Sequence, residues 1–120
     1  MKFENEIKEN IRMGYVELLI LKMLTEQDMY GYQIRQELDR RTCGAFHIKE
    51  GSLYGPLYRM SERKLISARK ELVGEKRFRN YYAIEDSGRE YLEFAVKEME
   101  IVFAGIKSLF EWEEGNNEKD

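Results

Sequence analysis

Apolar side chains recur with helical spacing over most of this 120-residue chain. Over residues 4–25 they first keep to one face and then, across 16–24, spread almost all round, which predicts a long helix whose second half is buried on several sides. Over residues 30–41 they recur at every fourth position, which predicts a second helix. Asp28, in the turn between the two, is expected to cap the N-terminus of the second helix.

A shorter helix is predicted over residues 50–65. Leu53, Leu57 and Met60 share one face of it, which is the spacing that seats a helix on a core. Ser52 is expected to be its N-cap, accepting a hydrogen bond from a backbone N–H one turn ahead. The opposite face carries Gly51, Gly55, Tyr58, Arg59 and Glu62.

Two strands are predicted next, over residues 66–73 and 77–84, around a turn at 74–76. A helix followed by a basic hairpin is the arrangement of a winged helix-turn-helix, in which the hairpin is the wing. The predicted fold is therefore mainly α, with a small β-hairpin wing and a further helix at the C-terminus. The alternative is an ordinary amphipathic helix followed by an ordinary hairpin with no shared role.

The last helix is predicted to begin at Ser87, where an S-x-x-E sequence has the form of a capping box, and to run to about Trp112. Apolar residues repeat along it at alternating spacings of three and four, which is a heptad seam, and a second apolar row lies beside the first at a spacing of seven. The two rows are Leu92, Ala95, Met99, Val102, Ile106 and Leu109, and Val96, Phe103 and Phe110.

Both apolar rows need to be buried against other apolar side chains, and little of the chain remains to pack on them. We therefore expect a homodimer, with Ile7 and Ile11 of the first helix at the same interface. The alternative is that the last helix packs back on the first helix of the same chain. The expected organisation is a winged helix-turn-helix domain over 1–85, a dimerisation helix over 86–113 and a disordered tail over 114–120.

Charge is distributed unevenly around a net value of −3. Residues 51–84 carry 8 basic and 3 acidic groups, whereas residues 85–120 carry 4 basic and 11 acidic groups. The basic block coincides with the short helix and the wing, as a phosphate-binding surface requires. The alternatives are a chance cluster on a solvated face and, at the hairpin tip, charges that only keep an edge strand soluble.

Double-stranded DNA is the partner that this arrangement favours. Side chains on the outward face of the short helix would meet the groove, and cations on and around the wing would hold phosphates. The first set is Ser52, Tyr54, Tyr58 and Arg59. The second set is Lys64, Arg69, Lys76, Arg77 and Arg79, and Arg35 and Lys49 are candidates for backbone contacts near the second helix.

Other chemistry finds little support. Cys43 and His47 are four apart, but nothing completes a four-ligand zinc set, so we expect neither a metal nor a cofactor. No phosphate loop or nucleophile elbow is present, so we do not expect an enzyme. A single cysteine fits a reducing cytosol, and the chain has neither an apolar signal region nor a run long enough to span a bilayer, so a cytoplasmic protein without membrane attachment is expected.

Several motifs in order resemble the PadR family of bacterial winged-helix transcriptional regulators, in its short subfamily with one C-terminal helix. The resemblance covers about residues 15–110. The sequence departs from the family in one motif. The family often has proline directly after the tyrosine of its G-T-L-Y-P motif, whereas here Gly55 follows Tyr54 and the proline is Pro56. The matching pieces are 18–24, Tyr30-Gly31-Tyr32-Gln33-Ile34, Gly51-Ser52-Leu53-Tyr54, Leu57-Tyr58-Arg59-Met60, Arg79-Asn80-Tyr81-Tyr82 and Asp86-Ser87-Gly88-Arg89-Glu90.

The resemblance implies a dimer that binds an inverted-repeat operator and usually represses transcription. Some members release DNA when a small aromatic molecule binds near the dimer interface, and in multidrug-sensing members a tryptophan stacks on that molecule. Met99 stands at that position here, so an aromatic sandwich is not implied. Met99 and Phe103 are the candidate effector contacts.

The main alternative function is a protein–protein adaptor, in which the winged domain binds no DNA. Its support is the heptad helix with its acidic flank. Salt separates the two functions, because affinity for DNA falls linearly with salt concentration on logarithmic axes.

Overall fold

The computed structural model describes residues 2–114, which fold as four helices around a small antiparallel sheet with strand order β1-β3-β2. The mainly α fold with a hairpin wing is thus confirmed. Residues 115–120 of the expected disordered tail lie outside the described residues. The elements are α1 (Glu4–Leu24), β1 (Met29–Tyr30), α2 (Gly31–Arg41), α3 (Glu50–Glu62), β2 (Ile66–Val73), β3 (Arg77–Ile84) and α4 (Asp86–Phe110).

The core lies where the second half of α1 meets α2, α3 and the foot of the wing. Leu53 and Leu57 of α3 are almost fully buried and Met60 is fully so, as their spacing predicts. They pack with apolar side chains from α1, α2 and the strands, including Ile20, Leu21, Ile34, Met29 and Ile66. This packing decides which face of α3 is left for a partner.

Strand β1 is too short to show a period in the sequence, and we did not predict it. Its two residues pair with Tyr82 and Tyr81 at the outer side of β3. The predicted cap at the start of α2 is wrong, because the N-cap is Tyr30 and no side chain caps the helix. Asp28 instead accepts a hydrogen bond from Arg69 of β2 at 2.5 Å.

Helix α3 begins at Glu50, three residues earlier than a Ser52 cap would allow, so that cap is also wrong. Lys49, with extended backbone angles, is the N-cap, and no side chain caps the helix. Pro56 therefore lies in the helix interior, where it cannot donate to the carbonyl of Ser52. Pro56 is buried, so its ring packs into the core in place of the lost hydrogen bond.

Helices α2 and α3 are each followed, two residues after the helix ends, by a non-glycine residue in the left-handed conformation, Cys43 (φ 53°) and Lys64 (φ 60°). After α3, the N–H of Leu65 donates to the carbonyl of Met60 at 2.9 Å and that of Lys64 donates to Ser61 at 3.0 Å. This is the Schellman pattern, which satisfies carbonyls at the end of a helix and turns the chain sharply. The turn brings β2 back along the core.

The start of α4 is anchored on that turn rather than capped by its own side chains. The predicted capping box is wrong: Glu85 is the N-cap and no side chain caps α4. The hydroxyl of Ser87 donates to the carbonyl of Lys64 at 2.5 Å, and the N–H of Glu85 donates to that of Leu65 at 2.9 Å. A Cβ added at the buried Gly88 would lie 2.2 Å from the Leu65 oxygen, so only glycine allows this approach.

Replacing Gly88 by alanine should therefore push α4 away from the α3–β2 turn. We expect the free energy of unfolding to fall by about 1–3 kcal/mol, the usual effect of overpacking a tight site. Urea denaturation at one fixed protein concentration measures it. Gly14→Ala is the control, because nothing lies within 4 Å of a Cβ there and the substitution should stabilise α1 slightly. Equal stability of Gly88→Ala and wild type would contradict the anchoring.

Candidate nucleic-acid interface

The face of α3 opposite the core is open to solvent. Tyr58 is 67% exposed, the highest value on this helix among its large apolar and aromatic side chains. A Cβ added at Gly51 would touch nothing within 4 Å, so a partner can approach the backbone closely there. Ser52 is also exposed, and Tyr54 is half exposed on the side toward the wing. The helix thus presents an exposed face on which Tyr58 is the most exposed aromatic side chain.

A groove runs between the wing and the N-terminal ends of α2 and α3, with a volume of about 560 Å³. We call it the wing groove. Arginine and tyrosine side chains dominate its lining, which combines positive charge with hydroxyl donors and suits phosphate oxygens. Its polar and aromatic lining includes Tyr30, Tyr32, Arg35, Glu50, Tyr54, Arg77, Phe78, Arg79, Asn80 and Tyr82.

The cations of the wing groove differ in how firmly they are held. Arg79 lies over the ring of Tyr30, with its guanidinium carbon 4.3 Å from the ring centroid. The Nε of Arg35 donates to the carbonyl of Ile48 at 3.2 Å, so this side chain braces the connection before α3. Arg77 lies at the end of the wing and is exposed. Arg35 therefore has a structural partner that the sequence did not indicate, although it also lines the groove.

The wing matches its predicted bounds residue for residue. Arg77 pairs with Val73 across the turn, and Gly74 there has a positive φ of 76°. Lys76 and Arg77 are exposed at the tip, as the sequence predicts. The apolar cross-strand pair behind them is exposed too, with Phe78 at 65%. The tip therefore offers both charge and apolar surface.

Arg69 is the cation of the wing that is paired with acidic side chains of the same chain. Its guanidinium donates to Glu71 and to Asp28, and these hydrogen bonds raise the pKa of Arg69 above its usual range. It also lies over the ring of Tyr81. Arg69 is absent from the residues that line the wing groove. The structure thus shows its side chain joining β2 to the segment before α2.

The remaining candidates lie at the two ends of α3. Lys49, the N-cap, and Lys64, in the turn after the helix, are exposed. Arg59 lies on the flank toward α1, where its Nε donates to Glu17 at 3.1 Å. Sequence analysis missed Glu17. The available signal was a single acidic residue inside the apolar run of residues 16–24.

The predicted dimer surface divides into a buried and an exposed part. Leu92 is only 8% exposed and belongs to the chain's own core, so it is not available to a partner and that assignment is corrected. Val96 packs against the same core, and Ala95 and Met99 are half-buried. Large side chains beyond them are exposed by about half or more: Val102, Phe103, Ile106, Leu109 and Phe110 of α4, and Ile11 of α1, with Ile7 at 44%.

Helices α1 and α4 also contact each other within the chain. The rings of Tyr15 and Phe103 lie with their centroids 5.7 Å apart and tilted by 54°. Packing of the last helix on the first, which was the alternative to a dimer, therefore occurs. It leaves the distal part of α4 uncovered within residues 2–114.

Neither a metal site nor a membrane span is found in the part of the chain that the structure describes. No group of three or more potential metal ligands occurs there. His47 does have an acidic neighbour, because its Nδ1 lies 2.8 Å from a carboxylate oxygen of Asp39. No helix among residues 2–114 is long and apolar enough to cross a bilayer.

Comparison with known proteins agrees with this architecture. The family model of the PadR-like transcriptional regulators matches residues 20–94. An uncharacterized protein of Lysinibacillus sphaericus is 37% identical over 92 residues, which are 77% of this chain and 84% of that protein. The crystal structure of a PadR-like transcriptional regulator from Bacillus cereus is 30% identical, with a TM-score of 0.73 over 87% of this chain and 99% of that one.

A more distant structure is that of Bacillus subtilis PadR in complex with operator DNA. It is 22% identical, and the TM-score is 0.63 over 67% of this chain and 45% of that chain. At this identity the likeness shows the fold. The family match, which spans more than half of the sequence, shows more: this chain belongs to the PadR-like family of transcriptional regulators.

Proposed function

We propose that this protein is a homodimeric regulator that binds an inverted-repeat operator in double-stranded DNA. The observation that carries the proposal is the wing groove, where side chains of the wing and of α2 and α3 converge on one concave, arginine-lined surface. Convergence of three separate elements supports a shared partner, and phosphate oxygens match the positive charge. The operator-bound relative from Bacillus subtilis supports the same assignment.

The two parts of the surface have different roles in this proposal. Tyr58 at the centre of the open face of α3 contacts base edges or thymine methyl groups, aided by the close backbone approach at Gly51. Tyr54 and Ser52 border that contact. Cations of the wing and of the ends of α3 bind phosphates, which position the protein without reading sequence. These are Lys49, Lys64, Lys76, Arg77 and Arg79, with Arg35 inside the groove.

Dimerisation rests on the uncovered part of α4. Exposure of this apolar surface to water is unfavourable, and a second copy of the chain with the same surface would cover it. The exposed side chains are Val102, Ile106, Leu109 and Phe110. Ile7 and Ile11 extend this apolar surface along α1. A two-fold dimer would present two copies of α3 to DNA, and we therefore propose an inverted repeat as its operator.

The proposed regulation is repression by this dimer. Binding across a promoter represses transcription by occupying it. A small aromatic effector that binds beside Met99 and Phe103 would act at the contact between α1 and α4, because Phe103 packs on Tyr15 there. Release of DNA then results if the effector binds better to a dimer whose two α3 helices no longer match the operator.

The dimer proposal predicts that a charge in the uncovered part of α4 separates the protomers. Val102→Glu or Ile106→Glu would bury an unpaired carboxylate, which costs several kcal/mol. We expect monomers, or loss of the fold, by analytical ultracentrifugation and circular dichroism. Lys97→Glu is the matched control, because Lys97 is exposed and belongs to neither apolar row of α4, and it should remain dimeric. Unchanged dimers of both seam variants would rule out this interface.

The phosphate role of the wing predicts a loss of affinity that does not depend on sequence. Lys76→Ala combined with Arg77→Ala should weaken all duplexes alike and reduce the slope of log affinity against log salt by about one to two units. Fluorescence anisotropy over a salt series measures both. Lys97→Ala combined with Lys107→Ala removes the same charge from α4 and should change the slope little.

A loss of affinity that depends on the duplex sequence would count against the phosphate role. If the wing variant lost affinity for one duplex sequence and kept it for others, Lys76 and Arg77 would be base readers. If the α4 control lowered the slope as strongly as the wing variant, the effect would reflect net charge rather than the wing.

A further inference from the structure

A carboxylate from α1 reaches the flank of the helix that is proposed to read DNA. Glu17 lies in the apolar run of α1, and its side chain is only 21% exposed. Its Oε1 accepts a hydrogen bond from the Nε of Arg59 at 3.1 Å, and its Oε2 lies 3.8 Å from a terminal nitrogen of Arg63. Arg59 near the end of α3 and Arg63 at its C-cap therefore share one anion, which lies 42 residues before Arg59 in the chain.

The two arginines have further contacts that fix them on this flank. The guanidinium of Arg59 lies along the helix beside Gly55, where an added Cβ would come within 3.3 Å of its terminal nitrogen. Arg63 lies over the ring of Tyr91, 5.0 Å from the centroid. Both arginine side chains are nevertheless about half exposed to solvent. They are thus accessible to a partner but held in one arrangement.

We propose that Glu17 is a positioning residue that sets the DNA specificity of this regulator, an inference that rests on the proposed function. It holds Arg59 and Arg63 against α1, so that they do not act as mobile cations for any phosphate that approaches. Because its partner is the Nε of Arg59, the terminal amino groups of that side chain stay directed along α3. Those amino groups are the ones that pair with two acceptors on a guanine.

The physical basis is a difference between specific and nonspecific contacts. Nonspecific binding depends on the number of cations that can neutralise phosphates, and an adjacent carboxylate reduces that number. A specific contact needs one fixed geometry, and a preorganised side chain reaches it with less loss of conformational entropy. Glu17 therefore lowers affinity for random DNA and preserves affinity for the operator.

The test is Glu17→Gln, which keeps the size of the side chain and removes its charge. Affinity is measured by fluorescence anisotropy over a salt series for a duplex selected from a random pool and for a scrambled duplex. We expect affinity for the scrambled duplex to rise by roughly threefold or more and its salt slope to steepen by about one unit. The ratio of selected to scrambled affinity should fall.

Glu37→Gln is a matched control, because Glu37 also bridges two arginines of one helix. It accepts from Arg40 at 2.7 Å and from Arg41 at 3.3 Å, and the bond from Arg40 is the main reason that the pKa of Glu37 is lowered to about 2. The two arginines that Glu37 bridges belong to α2 and not to α3. Its substitution removes the same charge and should leave the specificity ratio unchanged.

A double variant identifies the cation that is released. Glu17→Gln combined with Arg59→Gln should lose most of the gain on the scrambled duplex, because the freed guanidinium is gone. Circular dichroism confirms that each variant is folded. If Glu17→Gln does not fold, Glu17→Ala gives the same test, since it also removes the carboxylate.

The inference is overturned if a folded Glu17 variant changes both duplexes by the same factor, leaves both unchanged, or weakens the scrambled duplex. It is also overturned if Glu37→Gln lowers the specificity ratio as much. Failure of the proposed function is distinguishable, because then the wild-type protein itself would bind no duplex even at low salt.

Discussion

The burial of one face of α3 is the constraint on which the rest of this protein depends. Leu53, Leu57 and Met60 are each at most 1% exposed, and burying a side chain of this size contributes about 1.5–3 kcal/mol. Their contacts with α1 and α2 fix the rotation of α3 about its own axis. Tyr58 and the outward glycines consequently face solvent. The wing, joined to α3 through a Schellman turn, is fixed on one side of that surface.

The regular elements could be predicted because each is encoded by a local period. The two wing strands match their predicted bounds, and α1 and α2 match to within one residue at each end. The helix caps could not be predicted, because two of the side chains proposed as caps bond to residues that are distant in the sequence. Asp28 reaches Arg69 on β2, and Ser87 reaches the carbonyl of Lys64. Strand β1 exists only because β3, about fifty residues later, pairs with it.

The candidate site was predictable as a set of charges and exposed aromatic residues, but not as a set of contacts. The basic stretch at residues 51–84 indicated which cations are candidates for binding phosphate. It did not show that Arg35 is tied to a carbonyl or that Arg59 is tied to Glu17. Leu92 fits the heptad spacing and yet belongs to the chain's own core. The spacing of apolar residues shows which face of a helix is apolar, but it does not show which part of the protein covers that face.

Selection of bound sequences from a pool of random duplex DNA tests the central claim most directly, because it requires no knowledge of the operator. A two-fold dimer that inserts α3 into successive major grooves should enrich an inverted repeat, with half-site centres about 34 Å apart or a multiple of that distance. The wild-type protein at low salt is predicted to give such a repeat. Recovery of no enriched sequence, or of a single half-site without symmetry, would contradict the account.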